Sequence, residues 1–446
     1  ALAVLQARGR FGIRLGLGRT RALLAALGDP HRLLPGALIG GTNGKGSVQA
    51  MVAAVLRAAG VRVGQTPKPH LVSYRERIVV DGLPIAPGHF TALLGDVLQA
   101  ARGVPARLGA PTEFELLTAA AFHHFAQSGV RVGVIEVGLG GRLDATNAWD
   151  GGIAAITSIG LDHTEYLGTT AAAIGREKAA ILKRGDLAVS GVTGEGALPV
   201  RRRARRLDIP LVEAPPLDLE DMDRSGILVR HPIHGLLRVG LLGRHQAMNA
   251  AVAVAILEAL DRRGLARLEP AALRVGLATV RWPGRLELLT IGPEALDILL
   301  DGAHNVDGAH ALAQALADLR PLLAGGRPTL LMGTLRDKDA SGMVEALAGG
   351  EALRGARVVT TTVPDAPRSL AAAELATMWR EHFPTGSSIE VIDDPSEALD
   401  HALAAARAEG GPLIACGSLY LVGAVRGRLV DDPQLEDPPL SGRDGR

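Results

Sequence analysis

Gly40-Gly41-Thr42-Asn43-Gly44-Lys45-Gly46-Ser47 follows a short apolar segment, Ala37-Leu38-Ile39, and precedes a run from Val48 to Ala59 that reads as a helix closed by Gly60. A glycine-rich turn between a strand and a helix exposes backbone N–H groups at the positive end of the helix, with no Cβ in the path of an approaching anion. Such a turn is a phosphate cradle. Lys45 adds a charge that can reach terminal phosphates, and the Ser47 hydroxyl can hold a magnesium ion bridging them. The spacing departs from G-x-x-x-x-G-K-[ST], because Ile39 stands where the first glycine would be and Gly46 separates Lys45 from Ser47. The stretch is therefore a variant P-loop. An ordinary strand-to-helix turn would explain its glycines but not the lysine and serine together.

The chain has 446 residues, more than one ordinary hydrophobic core holds, so two domains are expected. Hydrophobic residues at 47% are ample for burial, whereas aromatics at 3% leave the packing to Ala, Leu and Val. With 48 basic and 47 acidic residues the net charge of +1 gives no general attraction to nucleic acid or anionic lipid, so neither is expected as a partner. One cysteine, Cys416, excludes an intrachain disulfide and a cysteine-rich metal knot. No segment offers the long uncharged apolar run that crosses a bilayer, and Ala1 to Arg10 has no signal-type core after it. A soluble, cytoplasmic protein is expected, acting as a monomer, with the natural terminus ahead of Ala1 missing.

Residues 1–36 read as helix with turns, stopping at Gly28-Asp29-Pro30. Beyond the P-loop helix, Val61-Arg62-Val63 reads as a short strand that empties into Thr66-Pro67-Lys68-Pro69-His70-Leu71. The two prolines fix an extended backbone, which is either a stiff loop or a rigid presentation of Lys68 and His70. Thr112-Glu113-Phe114-Glu115 has the form of a capping box and opens an apolar helix running to Gly129. Capping alone accounts for Thr112 and Glu115, and His123 and His124 read as packing or surface residues. Val132 to Val137 is an apolar strand that delivers Glu136 and then Gly138-Leu139-Gly140-Gly141-Arg142-Leu143-Asp144-Ala145-Thr146-Asn147. Ligands collect at the carboxyl ends of strands in an open parallel sheet, which makes Glu136 a site candidate. The glycines that follow lack the spacing and the helix of a dinucleotide fingerprint. The next strand, Ile153 to Ile159, ends likewise in Gly160-Leu161-Asp162-His163. A helix from Thr170 to Leu182 carries Glu177 and Lys178 amid Ala and Ile. A lysine on the apolar side of a helix is costly unless paired, chemically altered or snorkelling to water, and this marks Lys178.

Arg201, Arg202, Arg203, Arg205 and Arg206 read as a solvated helix face. Gly226 to Arg230 and Leu236 to Val239 suggest a small β insertion, and Gly243-Arg244-His245-Gln246 opens a buried helix through Asn249 to Leu260. From Ile298 onward short apolar runs alternate with helical stretches: Ile298–Leu300, Thr329–Met332, Val358–Thr361, Ile389–Ile392 and Leu413–Ala415. This alternation predicts a second, smaller parallel α/β domain. The fold class is accordingly α/β: a P-loop ATP-binding domain with a parallel sheet over 1–288, a Rossmann-like α/β C-terminal domain over 289–428, and a disordered tail over 429–446. The second domain has polar clusters at its own strand ends, including Asp301-Gly302-Ala303-His304-Asn305 and Gly417-Ser418-Leu419-Tyr420. Hydrolysis, phosphoryl transfer and ligation all remain open on these residues. Candidate groups spread over two domains suit an enzyme that keeps water from an unstable phosphorylated intermediate.

The P-loop, Thr112 to Glu115, Glu136 to Asn147, Asp162-His163, Glu177-Lys178, His245-Gln246, Trp282-Pro283-Gly284-Arg285-Leu286-Glu287, Asp301 to Asn305 and Gly417 to Tyr420 together resemble the folylpolyglutamate synthase/dihydrofolate synthase branch of the Mur ligase superfamily. The resemblance covers nearly the whole chain in order, and Thr-Glu-Phe-Glu and Trp-Pro-Gly-Arg-Leu-Glu are specific to the folate branch. It implies an ATP- and magnesium-dependent amide ligase that joins L-glutamate to folate through an acyl phosphate, and it leaves open whether dihydropteroate, reduced folates or both are the acceptor. By position, Asn43, Gly44, Lys45, Gly46 and Ser47 would bind the phosphates, and Ser47, Glu136 and His163 would ligate magnesium. Asn249, Arg285 and Asp301 would hold ATP, and Lys178 matches a lysine that is carbamylated in this superfamily. Thr112, Glu113, Phe114, Glu115, Arg142, Leu143 and Asp144 would line the pterin substrate, with His304 and Ser418 near the incoming glutamate. Lys45, Lys178, Asp301 and His304 are the catalytic candidates.

Two positions depart from the family pattern. Lys68-Pro69-His70-Leu71 stands where Ser-Pro-His-Leu is usual, and that serine normally contacts a magnesium, so the Lys68 ammonium is expected to replace or displace this contact. Val306 stands in place of a proline, a minor change in loop stiffness. A Mur-type ligase with a cell-wall precursor and a P-loop ATPase without ligase activity are the alternatives.

Overall fold

The structure, a computed structural model, describes Leu5, residues 14–383 and residues 388–435. Among these residues the chain forms two compact units: one takes in the chain up to Pro215, Ala251–Gly276 and the part from Asp432 onward, the other Pro216–Ala250 and Leu277–Asp431. Residues 216–250 and 277–288 thus pack with the second unit, whereas the boundary expected near 288 keeps them with the first.

The first unit is built on an eight-stranded sheet of β1 (Gly36–Gly40), β2 (Val63–Thr66), β3 (Val79–Val80), β4 (Leu83–Pro84), β5 (Val132–Glu136), β6 (Gly152–Ile156), β7 (Leu187–Ser190) and β8 (Leu211–Glu213), in the order β4-β3-β2-β5-β1-β6-β7-β8. All pairs are parallel except β2–β3 and β3–β4. β1 and β5 are buried along their whole length, which is why they read as continuous apolar runs rather than alternating ones. β3 and β4 form a hairpin around Asp81-Gly82, both at positive φ (52° and 83°), as a tight two-residue turn demands.

The P-loop helix spans Lys45–Ala58 and buries Val48 and Met51 through Leu56. It closes in a Schellman motif: Gly60 at φ 70° donates to the Arg57 carbonyl and Val61 donates to that of Leu56, both at 2.9 Å. Val61 is therefore committed to the helix end, and β2 starts at Val63 rather than at Val61. A helix over Pro270–Thr279 presses on the P-loop helix through Gly276, where a Cβ would lie 2.4 Å from the Val55 Cα. Trp149 and Phe122 pack in the core of this unit with ring centroids 5.6 Å apart, and the Trp149 indole N–H donates to the Leu34 carbonyl at 2.8 Å.

The second unit holds β9 (Asp218–Asp223), β10 (Gly226–His231) and β11 (Gly235–Val239), an antiparallel sheet that realises the expected insertion with one strand more than the two foreseen. Its main sheet has the order β12-β13-β17-β14-β15-β16, from β12 (Glu287–Ile291), β13 (Leu296–Leu300), β14 (Thr329–Met332), β15 (Arg357–Thr360), β16 (Ser388–Val391) and β17 (Leu413–Cys416). The five expected strands run parallel as predicted, while β12 is antiparallel to β13. Trp379 and Phe383 meet edge to face at 5.1 Å in the core of this unit. Of the tail expected to be disordered, Leu429 ends the last helix, Leu435 donates to the Asp432 carbonyl, and residues 436–446 lie outside the described residues.

Candidate active site

β5, β1 and β6 are neighbours, with Ile39 beside Glu136 on one side and Ala155 on the other. Whatever follows their carboxyl ends therefore gathers at one edge of the sheet. Gly41 leaves β1 at φ 150° and Gly44 caps the helix at φ 84°. A Cβ on Gly41 would lie 1.9 Å from the Thr157 hydroxyl, so this turn accepts only glycine. Thr157 Oγ1 and Ser158 Oγ donate to the Asn43 carbonyl at 2.6 and 3.0 Å, and the Asn43 N–H donates to Ser158 Oγ at 2.9 Å. Thr42 and Gly160 are joined the same way, the Gly160 N–H donating to the Thr42 hydroxyl at 3.0 Å. Thr157 and Ser158, which brace the loop, fall inside the strand expected over Ile153 to Ile159, whereas β6 ends at Ile156; two hydroxyls in an otherwise apolar run were their signal.

Lys45 Nζ donates to the carbonyls of Gly41 and Thr42 at 3.0 and 2.9 Å. The buried Lys178 donates to the same Gly41 oxygen at 2.8 Å. Burial, reinforced by the nearby Lys45 charge, pushes the Lys178 ammonium down to about 7, against the pull of Asp162 and Asp144. Lys178 sits in the helix Ala171–Ala179 with its side chain turned inward, so the snorkelling alternative does not hold. Lys68 follows a different course. Its ammonium donates to the main-chain oxygen of Glu136 at 2.5 Å and lies 4.8 Å from the centroid of the Phe114 ring, while its backbone N–H donates to Glu136 Oε2 at 3.2 Å. Burial pushes Lys68 down to about 8; Asp144 and Glu136 oppose this, and Arg77 and Lys45 add to it. The Lys68–Pro69 peptide is cis.

Ser47, in the first turn of the P-loop helix, and Glu136, the last residue of β5, are both buried and offer the oxygen donors that a hard divalent cation takes. His163 stands on the loop after β6 in the left-handed conformation, φ 51°, with its ring 3.8 Å from the Asp162 carboxylate. The donor set of one hydroxyl, one carboxylate and one imidazole at a single sheet edge fits a magnesium or manganese ion.

The stretch around Phe114 is tightly organised. Thr112 and Glu115 do form the capping box of the helix Glu113–Gln127, and Glu115 also takes Arg19 at 2.9 Å, so its carboxylate is committed to structure. Asp144 is buried and accepts from the backbone N–H groups of Leu139 and Thr146 at 2.8 and 3.0 Å and from the Thr146 hydroxyl at 2.6 Å. A Cβ on Gly138 would lie 2.6 Å from Phe114 and 3.1 Å from Asp144, so the glycine lets the two sides meet. Arg142 is exposed and pairs with Glu177 at 2.9 Å, and Leu143 lies between them in chain. His70 accepts from Arg77 Nε at 2.8 Å and stacks on Tyr74; burial together with the Arg77 charge pushes its imidazole down to about 3. Burial raises Glu113, while Arg77 and a hydrogen bond with Tyr74 pull it down. Arg77 and Tyr74 carried no signal in the sequence; they join the site through pairing that no local pattern displays.

In the second unit the Asp301 carboxylate follows β13 and accepts from the N–H groups of Leu286 and Ala303, both at 2.9 Å. Burial raises it, against the Arg285 charge and those two hydrogen bonds. Arg285 and His304 both address the Gly302 carbonyl, at 3.3 and 2.7 Å. Asn249 donates to Gln246 at 2.8 Å, and Gln246 contacts His245, whose imidazole burial pushes down to about 4, with the Arg285 charge adding to it. Ser418 is buried and caps the last helix by accepting from the Tyr420 N–H at 3.2 Å. Val306 opens the helix Val306–Leu319, whose cap is Asn305.

The chain matches the sequence profile of the Mur ligase middle domain over residues 39–193 and that of the Mur ligase glutamate ligase domain over residues 284–419. It is 34% identical over 430 residues to the dihydrofolate synthase/folylpolyglutamate synthase of Bacillus subtilis, covering 94% of this chain and 96% of that protein. It is 36% identical over 462 residues to that of Mycobacterium tuberculosis, covering 94% and 91%. Among solved structures it resembles Mycobacterium tuberculosis folylpolyglutamate synthase complexed with ADP and AMPPCP, with a TM-score of 0.86, 34% identity and coverage of 97% and 98%. It also resembles a bifunctional folylpolyglutamate synthase/dihydrofolate synthase with Mn, AMPPNP and L-glutamate bound, with a TM-score of 0.79, 29% identity and coverage of 96% and 97%.

Proposed function

This chain belongs to the folylpolyglutamate synthase/dihydrofolate synthase family of Mur ligases, and from that premise we propose that it is an ATP-dependent amide ligase adding L-glutamate to folate, and to dihydropteroate. The observation that carries the reading is likeness at 36% identity over 94% of the chain to a protein named for both activities. The acceptor carboxylate oxygen takes the γ-phosphoryl group and ADP leaves. The glutamate amine then attacks the acyl carbon of the acyl phosphate, inorganic phosphate leaves, and the amine proton is lost.

The residues divide this work. The backbone N–H groups from Asn43 to Ser47 and the Lys45 ammonium hold the transferring phosphates and stabilise the charge that builds as the γ-phosphoryl group moves. Ser47, Glu136 and His163 would hold the divalent cation, which when bound neutralises phosphate charge. Asn249, Arg285 and Asp301 hold the nucleotide, and His304 and Ser418 serve the incoming glutamate. Thr112 to Phe114 and Arg142 to Asp144 face the pterin substrate, with Glu115 supporting them through the cap. Lys178 is the carbamate-bearing residue: with its ammonium pushed down to about 7, about half of it at pH 7 is the free amine that carbon dioxide modifies, and the product exchanges a costly buried cation for an anion. The profile match starting at residue 284 supports taking 289–428 as the glutamate-ligase half.

Among the described residues no helix is long and apolar enough to cross a membrane, and we place the enzyme in the cytoplasm as a monomer. The deciding measurement is glutamate-dependent ADP release with dihydropteroate and with tetrahydrofolate, side by side, and with a UDP-linked acceptor. Turnover with the pteroyl acceptors alone is expected; failure of every pteroyl acceptor would falsify the folate assignment.

A further inference from the structure

Lys68 is a cation inside the protein that has been given a position but no counter-ion. Its Nζ uses one donor on the Glu136 main-chain oxygen and rests on the face of Phe114. An ammonium has three donors, so the hydrogen bond and the ring contact leave one to spare. The charged groups around it are Asp144, Glu136, Arg77 and Lys45. Among the described residues none of the carboxylates pairs with it within ion-pair distance: Asp144 is spent on the N–H groups of Leu139 and Thr146 and on the Thr146 hydroxyl, and Glu136 offers its main-chain oxygen to the ammonium. A half-buried cation held by a carbonyl and a π face keeps its net charge, and such a charge is costly unless an anion arrives.

The direction in which it points identifies the anion. Lys68 lies on the Phe114 ring, and Phe114 meets Asp144 across Gly138, where a Cβ would come within 2.6 Å of the ring and 3.1 Å of the carboxylate. Lys45 of the P-loop and Lys178 of the helix Ala171–Ala179 end instead on the Gly41 carbonyl. The ammonium thus addresses the flat, aromatic side of the Glu136 strand end. We propose that Lys68 holds the carboxylate of the acceptor substrate, donating its spare N–H to one carboxylate oxygen while the other oxygen is free to take the phosphoryl group. The inference rests on the ligase reading and adds to it a substrate-holding residue that the chain supplies itself, on the substrate side of Glu136 rather than as a substitute for a metal contact.

The test is a chemical double cycle read by equilibrium binding, not by turnover. Affinity is measured by calorimetry for pteroate and for its primary carboxamide, on the full chain and on the Lys68→Met and Lys68→Arg variants, with an ATP analogue titrated separately. The wild-type protein should prefer the acid over the amide. Lys68→Met should lose about 10- to 100-fold for the acid, the range for a hydrogen bond to a charged group, and little for the amide, while Lys68→Arg keeps most of the preference. Equal loss for both compounds, or an undiminished preference in Lys68→Met, overturns the inference. So does a loss confined to the ATP analogue, which would make the anion a phosphate. A wild-type protein that binds acid and amide equally overturns it without any variant, whether or not Lys68→Met folds. Failure of the wild type to bind either compound removes the folate reading and this inference together.

Discussion

In the first unit the ammonium groups of Lys45, Lys178 and Lys68 end on the main-chain carbonyls of Gly41, Thr42 and Glu136. In the second unit the guanidinium groups of Arg224, Arg357 and Arg426 end on carboxylates: Asp297, the pair Glu390 and Glu409, and Glu287. A carbonyl oxygen orients a cation and leaves its charge in place, whereas a carboxylate cancels it. At Lys68 the first arrangement suits the holding of an anion and at Lys178 it leaves an amine open to modification, whereas the second builds a scaffold of mutually compensated charges. Lys68 and Lys178 have no carboxylate within ion-pair distance among the described residues, and this separates them from the arginine pairs more sharply than burial does.

The contrast breaks most visibly at Lys45. Lys45→Ala should cut glutamate-dependent ADP release by at least about 100-fold, because one preorganised charge is removed from the moving phosphoryl group, while the melting temperature stays close to that of the parent. Near-normal turnover would mean that the P-loop role is mistaken. Arg357→Met should do the reverse. Its guanidinium serves Glu409 at 2.6 Å and Glu390 at the amino end of β15, away from the strand ends that carry the candidate residues. A loss of about 2 kcal/mol in denaturant unfolding is expected, with the KM for ATP unchanged; a rise in KM with unaltered stability would erase the distinction between the two kinds of pair.

Lys178 sharpens the comparison through pH. Its ammonium is pushed down to about 7 in the folded protein from an ordinary 10.5, so between those values the unfolded chain binds the extra proton. The Lys178 contribution to stability then rises with pH across that window, by at most about 1.4 kcal/mol per pH unit, with Lys68 adding to the slope above about 8, and Lys178→Met should flatten the rise. Melting curves in buffers free of bicarbonate read this directly, and an equally steep rise in the variant would show that Lys178 is not its source. The smallest effect belongs to Thr112. Removing its hydroxyl costs the helix Glu113–Gln127 its cap, so Thr112→Ala should lower stability by about 1 kcal/mol. Acceptor affinity measured on the same variant separates the two roles given to Thr112: unchanged affinity would leave it the cap alone, and a large loss of affinity at unchanged stability would leave it the substrate contact alone.

Much of this could be read locally. The P-loop announces itself because glycine, lysine and serine in one turn serve no packing purpose, and Glu136 and Lys178 stand out as polar groups where the pattern is apolar. The capping box at Thr112 is equally local. What escaped the reading depends on partners distant in the chain. Arg19 reaches Glu115, Thr157 and Ser158 hold Asn43, and Arg77 reaches His70 only because a turn folds one onto the other. β12 lies antiparallel beside β13, joined to it by the short turn Gly292-Pro293-Glu294-Ala295. The hairpin at Asp81-Gly82 is different: Asp-Gly is itself a turn signal, but strands of two residues each are too short to form a pattern beside it.

The eight-stranded sheet ends on one side in β4, a pair of residues closing in Pro84, and on the other in β8, three residues followed by Ala214 and then Pro215 and Pro216. A sheet edge is a template for another chain's strand, and shortness and proline are the means by which proteins spoil that template. Neither border gives an incoming strand a ladder long enough to grip. Crowded together at high concentration, copies of this sheet have little to offer one another edge to edge.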